Sequence, residues 1–392
     1  MALPERFSNL PEHVFPRLRR LLAAHAPGAE PLSLSIGEPR HPFPDWVGDV
    51  IAENLAEFGR YPPNFGTDEL IEAMAGWFGR RFGLALEASQ LMVLNGSREG
   101  IFSAALALCA EAKAGRAPCI LFPNPFYQAY AAGAAAIAAE PVYVAATQTN
   151  GFLPDYQSVD ADILNRTVAA FICSPSNPEG AVADTGYLKA LIGLAERHDF
   201  QIFADECYSE IYEGAAPVSA LAVAAEMGAD PERVVVFNSL SKRSNLPGLR
   251  VGLVAGGPKT IAAMRLLREY GGAPVPLPLQ RVAERLWSDE THVAANRALY
   301  VEKYAIARKV LGDVQGIVLP SAGFFLWLAV QDGEAATVKL WKQSGIRVLP
   351  GAYLARESGG KNPGKGYIRA AMVAPNDEMH RGLSKLRDCL YN

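Results

Sequence analysis

The chain has 392 residues, half of them hydrophobic, with 37 basic and 41 acidic side chains and a net charge of −4. That length exceeds one ordinary core and predicts two domains, or one large α/β domain with a smaller partner. The balanced charge excludes a strong nucleic-acid footprint or a polybasic membrane anchor, and no apolar run is long enough to span a bilayer.

Residues 1–10 show no basic segment leading into an apolar one, so no secretory signal is expected. Cys109, Cys119, Cys173, Cys207 and Cys389 are scattered, without a C-x-x-C pair or a Cys/His cluster. This predicts no metal site, no disulfide framework and a reducing, cytoplasmic setting.

An amphipathic helix is predicted over 15–25, with Phe15, Leu18, Leu21 and Leu22 on one side and Arg17, Arg19 and Arg20 mostly on the other. A Gly/Pro-rich extended stretch follows over 32–44, then a helix-rich segment over 45–82. The middle alternates β-rich runs (119–122, 141–145, 168–173, 201–204, 234–237 and 250–255) with helical patterns over 101–113, 187–198 and 260–270. Such alternation predicts a mostly parallel sheet wrapped by helices, and continuous apolar strands fit a sheet buried on both faces. A break is expected over 271–278 and a long helical region over 280–311. The tail reads as strands over 324–330, 347–349 and 367–373, with helices over 337–344 and at the end. These suggest a small α+β domain, against which the first helix could pack.

Polar signals fall where strands end. Asn177 follows one run, Asp205 ends another, and Ser239, Ser241 and Lys242 follow a third. In open parallel sheets, ligands bind beyond the carboxyl ends of strands. Asn95-Gly96-Ser97-Arg98 opens the helix at 101, where free amides can bind phosphate oxygens or serve only as a cap. Asp205 needs a partner, either a salt bridge, a helix cap or the protonated nitrogen of a pyridine ring. Lys242, flanked by serines and followed by Arg250, sits where a lowered pKa would make it a nucleophile. Ser239-Leu240-Ser241-Lys242 also matches the S-x-x-K motif of serine acyl-enzymes. Neither of that group's other motifs, S-D-N and K-T-G, occurs here.

Ser35-Ile36-Gly37-Glu38-Pro39, Tyr61-Pro62-Pro63-Asn64, Asn95-Gly96-Ser97, Asn124-Pro125-Phe126-Tyr127, Ser174-Pro175-Ser176-Asn177-Pro178, Ala204-Asp205-Glu206-Cys207-Tyr208, the Lys242 segment and Tyr367-Ile368-Arg369 occur in one order. In this the chain resembles the class I/II aminotransferases of the fold type I, pyridoxal-phosphate-dependent group, over nearly its whole length.

The resemblance implies an α/β fold. A large domain (45–280) would have a mostly parallel seven-stranded sheet flanked by helices, and a small α+β domain would be built from 1–44 and 281–392. It implies pyridoxal 5'-phosphate as cofactor, carried covalently by Lys242, which then moves the proton. Asp205 pairs with the ring nitrogen, Tyr208 and Asn177 bond the ring's 3-oxygen, and Tyr127 stacks on its face. Gly96, Ser97, Arg98, Ser239, Ser241 and Arg250 form the phosphate cup. Tyr61 reaches the phosphate of a neighbouring subunit, so a homodimer with shared sites is implied. Arg369 grips the substrate α-carboxylate beside Gly37.

Four further segments resemble the bacterial succinyldiaminopimelate transaminase branch. They begin at Ser241, at Trp287-Ser288-Asp289-Glu290, at Asn296-Arg297 and at Leu349-Pro350-Gly351. That branch exchanges an amino group between glutamate and N-succinyl-2-amino-6-oxopimelate by a ping-pong mechanism. Arg40 and Arg98 are candidates for a distal carboxylate. Transaminases for aspartate, alanine or aromatic amino acids share most of this frame. A related lyase would use the same lysine and aspartate, and release of ammonia and pyruvate separates it from a transaminase.

Overall fold

The computed structural model describes residues 5–392, so the first four residues of the expected 1–44 segment lie outside it. A seven-stranded sheet forms the centre, in the order Leu91–Leu94, Gly252–Ala255, Val234–Ser239, Gln201–Asp205, Thr167–Cys173, Cys119–Asn124 and Glu140–Ala145. Only Gly252–Ala255 runs against its neighbours. Six strands match the apolar runs of the sequence. The seventh, Leu91–Leu94, is four residues long and fully buried, too short for periodicity to reveal.

Alternate residues of one strand serve two cores. Val234 and Val236 join Leu70, Met74 and Trp77 on one face, while Val235 and Phe237 join Ile101, Phe122 and Phe171 on the other. This is the period-two geometry of a sheet covered on both sides. Polar caps start the covering helices. Thr67 accepts from the Leu70 amide and Asp184 from the Tyr187 amide, each satisfying a free amide of a first turn.

The second unit is a three-stranded antiparallel sheet of Leu349–Pro350, Tyr367–Ala371 and Phe325–Ala329, packed with the helices Gly333–Ser344 and Asn376–Leu390. Residues 347–349, expected as one strand, divide between two short ones. Ile346–Arg347 pairs with Leu32–Ser33, and Leu349–Pro350 joins the three-stranded sheet. The first helix, Val14–Ala23, buries Val14, Leu18 and Leu22 against Trp327, Trp341 and Leu354.

Two expectations are corrected. The helical region over 280–311 is two helices, Leu277–Ser288 and Thr291–Leu311, because Asp289 turns out of the first and accepts from the Thr291 amide to open the second. The domain boundary at 280 falls inside the first of these. Val282, Ala283, Leu286 and Trp287 belong to the core of the large sheet.

Among the described residues no helix is long and apolar enough to cross a membrane. Among the same described residues, no group of three or more His, Cys, Asp or Glu side chains could hold a metal ion.

Candidate active site

The register of the central sheet aligns Cys173 with Asp205, Asp205 with Phe237, and Ser239 and Leu94 with Gly252. Strand ends at Cys173, Asp205, Ser239 and Leu94 therefore share one edge. A cavity of about 300 Å³ lies beyond it, lined by Gly37, Ser97, Arg98, Tyr127, Asn177, Asp205, Tyr208, Ser239, Ser241, Lys242, Arg250 and Arg369. Of the site residues expected from sequence, Gly96, Tyr61 and Arg40 are missing from that lining. Gly96 directly precedes Ser97. Tyr61 lies fully exposed on the surface of this chain.

One end of the cavity is built for an anion. Gly96 has φ +81°, and a Cβ there would strike the Arg250 guanidinium at 2.0 Å, so only glycine lets the arginine close over the turn. Ser97 opens the helix Ser97–Leu108, whose first amides are free. Ser239 and Ser241 stand with hydroxyl oxygens 2.8 Å apart, and Ser239 also caps the short helix that carries Lys242. Gly252 has a steric reason as well, since a Cβ would meet the Asn238 carbonyl oxygen at 2.8 Å and the Ser97 amide nitrogen at 3.0 Å.

The other end carries a buried acid. The Asp205 carboxylate accepts from the Tyr130 hydroxyl at 2.8 Å and the Cys207 amide at 3.3 Å, both neutral donors. Burial raises its pKa, opposed by those hydrogen bonds and by Lys242. Tyr208 packs edge-on against Phe324 and Phe325, and burial holds its hydroxyl protonated well above the usual tyrosine range.

Between the two ends, the Lys242 amine donates to the Gly37 carbonyl at 2.5 Å and lies 5.2 Å from the Phe324 ring. The residue is half-buried at the cavity, and its amine lies deep among protein atoms. Burial lowers its pKa to about 8, with Arg369 and Arg250 adding to the fall and Cys207 and Glu38 opposing it. Gly37 cannot be larger, because a Cβ would meet the Phe325 ring at 2.4 Å.

Arg369 is buried. It donates to the Asn177 side-chain oxygen and to the Ser35 carbonyl, each at 2.9 Å, and lies over the Phe325 ring. Its Nε has no partner, and burial lowers its pKa to about 10. A desolvated guanidinium with an unpaired donor at a cavity wall suits an incoming carboxylate.

Residues 29–386 match the family described as aminotransferase class I and II. The chain belongs to this family. Among curated relatives, the LL-diaminopimelate aminotransferases of Dehalococcoides mccartyi and Desulforudis audaxviator are each 31% identical to this aminotransferase. The first alignment covers 98% of both chains, the second 98% of this chain and 97% of the relative. Among solved structures, an aminotransferase from Neisseria meningitidis superposes with a TM-score of 0.94 at 36% identity, and aminotransferase AspB from Helicobacter pylori with 0.90 at 31%. Each covers the whole of both chains.

Enzymes of this family depend on pyridoxal phosphate, and the residues of this aminotransferase fit that molecule. One end offers hydroxyls, a helix start and a guanidinium, which would suit its phosphate. At the other end the buried carboxylate meets only neutral donors, which leaves it for a protonated ring nitrogen.

Several lining or supporting residues were not read from sequence. Tyr130 shows no outward sign in its helix, because its role depends on a strand 75 positions away. Phe15, read only as part of an apolar helix face, lines the cavity together with Ile36, Pro247 and Phe325. Cys173 and Cys207 also face it, and burial raises both thiols well above their usual range. Arg40 does not line it. Its guanidinium pairs with Glu378 through both terminal nitrogens. Arg98 does line the cavity and donates from Nε to the Tyr127 hydroxyl at 2.6 Å.

Glu179 is a buried carboxyl beside the Asn177 loop. Its Oε1 has no partner, it forms no salt bridge among the described residues, and its small cleft is walled by Pro125, Phe152, Leu153, Ile172 and Cys173. Burial raises its pKa to about 8. In the unfolded chain it ionises near the ordinary glutamate value, so folding takes up a proton between these two limits and stability falls as pH rises through that window. Glu179→Gln keeps the neutral shape. Melting temperatures are expected to match below about pH 4.5, and the variant is expected to melt a few degrees higher by about pH 8. Scanning calorimetry across that range checks it, and a constant difference at all pH values would contradict it.

Proposed function

We propose that this aminotransferase moves an amino group between glutamate and a keto acid of the pimelate chain, with Lys242 as the covalent anchor and proton carrier. The observation that supports this most is the convergence of the Lys242 amine, the Asp205 carboxyl and the Arg369 guanidinium on one cavity.

When bound, pyridoxal phosphate draws electrons from the substrate α-carbon through its ring. Gly96, Ser97, Ser239, Ser241 and Arg250 would hold the phosphate. Asp205 would keep the ring nitrogen protonated, Tyr208 and Asn177 would bond the 3-oxygen, and Tyr127 would cover the ring face. Arg369 would hold the α-carboxylate beside Gly37, aiming the Cα–H bond at Lys242. Lys242 Nζ would take that proton and return it, and its depressed pKa leaves a useful fraction of neutral amine near pH 8. The amino donor leaves as a keto acid before the acceptor binds, which predicts ping-pong kinetics.

The acceptor is read first as N-succinyl-2-amino-6-oxopimelate, on the segments at 241, 287, 296 and 349. The unacylated diaminopimelate skeleton is the second reading, supported by relatives named LL-diaminopimelate aminotransferases over nearly the full chain. Both ligands place a second carboxylate far from the reacting carbon, and Arg98 is the cavity cation available to meet it. An acceptor screen with glutamate as donor, containing both ketones, oxaloacetate and pyruvate, separates the readings. Arg98→Ala is expected to raise KM about tenfold for acceptors with a distal carboxylate and to spare pyruvate. Equal effects on both would remove Arg98 from this role.

A homodimer with shared sites belongs to the same proposal. Tyr61 is fully exposed here, and Ile36, Phe43, Leu55 and Phe58 are exposed apolar neighbours in sequence. Exposed apolar side chains of this size suit burial by a second copy.

A further inference from the structure

The segments at 287–300 contribute no side chain to the cavity, yet they surround the turn that carries Lys242. Arg243, buried, donates to the Leu286 carbonyl at 2.7 Å and to Glu290 at 2.9 Å. Ser244 meets His292 at 2.8 Å, and His292 meets Asp289 at 3.0 Å. Asn296 occupies the centre of this brace. It is buried on the helix Thr291–Leu311.

The Asn296 amide nitrogen lies 3.3 Å from the Lys242 carbonyl oxygen and 3.5 Å from that of Arg243. Its amide oxygen lies 3.0 Å from the Asn245 amide nitrogen and 2.9 Å from His41 Nδ1. Carbonyls can only accept, so the amide has one orientation: nitrogen to the lysine turn, oxygen to Asn245 and His41. His41 Nδ1 therefore carries its proton. Burial lowers the pKa of His41, and its Nε2 is buried without a partner, so the ring is neutral.

The second half of this network returns to the lysine by another route. His41 and Pro42 follow Gly37 by four and five positions, and Asn245 also donates to the Pro42 carbonyl at 3.2 Å. Gly37 supplies the carbonyl that accepts the Lys242 amine. One side chain thus fastens both the backbone that carries the lysine and the segment that receives its amine.

We infer that Asn296 is a positioning residue for Lys242. A lysine that must attach, detach and carry a proton needs a mobile side chain on an immobile Cα. Bonds to its own carbonyl and to the facing segment hold the Cα and leave the side-chain torsions free. Misplacement of a reacting group by about 1 Å costs roughly a hundredfold in rate.

The inference rests on the covalent role of Lys242, and its test keeps the two apart. Asn296→Ala and Asn296→Asp proteins are loaded with pyridoxal phosphate. The pH midpoint of the visible absorption band is measured with no substrate present, and then kcat and KM for glutamate. The titratable and charged groups that act on the Lys242 amine are Cys207, Arg369, Glu38, Arg250 and Asp205, and none of them bonds to Asn296. The midpoint is expected to move by about half a unit. For Asn296→Ala, kcat is expected to fall about a hundredfold with KM near its original value. Asn296→Asp is expected to be at least as impaired, because it sets a carboxylate oxygen against two carbonyls.

His41→Phe decides the matter if the first variants are not recovered folded. That ring packs on Tyr300 and does not line the cavity, and the same shift is expected at smaller size. A folded variant that melts earlier but keeps the parental midpoint and kcat overturns the inference and leaves Asn296 merely structural. A parental enzyme with no visible band overturns the role of Lys242 instead.

Discussion

Lys242→Ala protein is expected to bind pyridoxal phosphate without the visible band of a lysine-bound cofactor and to lose turnover by about 10⁴-fold. Two functions vanish together, the covalent anchor and the group that moves the proton. Added amines should restore part of the turnover if the remaining site is intact, because Arg369, Asp205 and the phosphate cup are untouched. A variant that retains both the band and the rate would end the assignment.

The same substitution carries a stability signature. The buried amine has its pKa lowered to about 8 from an ordinary 10.5. The folded state therefore holds fewer protons than the unfolded one between those values, and the cost of burying the charge is full below pH 8 and fades toward 10.5. Without cofactor, Lys242→Ala is expected to melt a few degrees above the parent at pH 7, with the gap closing as pH rises through that window. The gap left by the side chain opens onto the cavity and fills with water, so no dry void opposes the gain.

Asp205→Asn is expected to lower turnover by about 10³-fold while leaving the fold intact. An amide cannot hold a proton on a ring nitrogen, so the electron-withdrawing power of the cofactor weakens. The Tyr130 hydroxyl can still donate to the new side-chain oxygen, which protects the packing. Tyr130→Phe separates position from charge. Losing that hydrogen bond removes a contribution that lowers the Asp205 pKa, so the acid becomes more basic. Turnover is expected to fall only about tenfold. Stopped-flow measurement of the glutamate half-reaction reads both variants. Near-normal turnover in Asp205→Asn would mean that the ring nitrogen is handled by another group.

Much of the large sheet was legible because buried strands advertise themselves. Runs such as Val234-Val235-Val236-Phe237 are apolar at every position when both faces are covered, and polar residues that end them mark the ligand edge. The break at Asp289 was not legible, because an i to i+2 cap at a helix start leaves helical periodicity on both sides unchanged. Arg40 and Arg98 show the same limit for function. Both are arginines near glycine turns in the sequence, and only a distant Glu378 distinguishes the paired one from the one at the cavity.

The amino-acid sequence by itself determined the secondary elements, the parallel sheet and the chemical inventory at its strand ends, since these depend on periodicity and on residues close along the chain. Tertiary structure alone decided which partners complete that inventory. Tyr130 meets Asp205, Gly37 meets Lys242, Asn177 meets Arg369 and Asn296 meets the lysine turn. Each contact joins residues between 54 and 205 positions apart. Hydrogen bonds act over about 3 Å, and nothing local in the chain records which distant groups folding will bring within that reach.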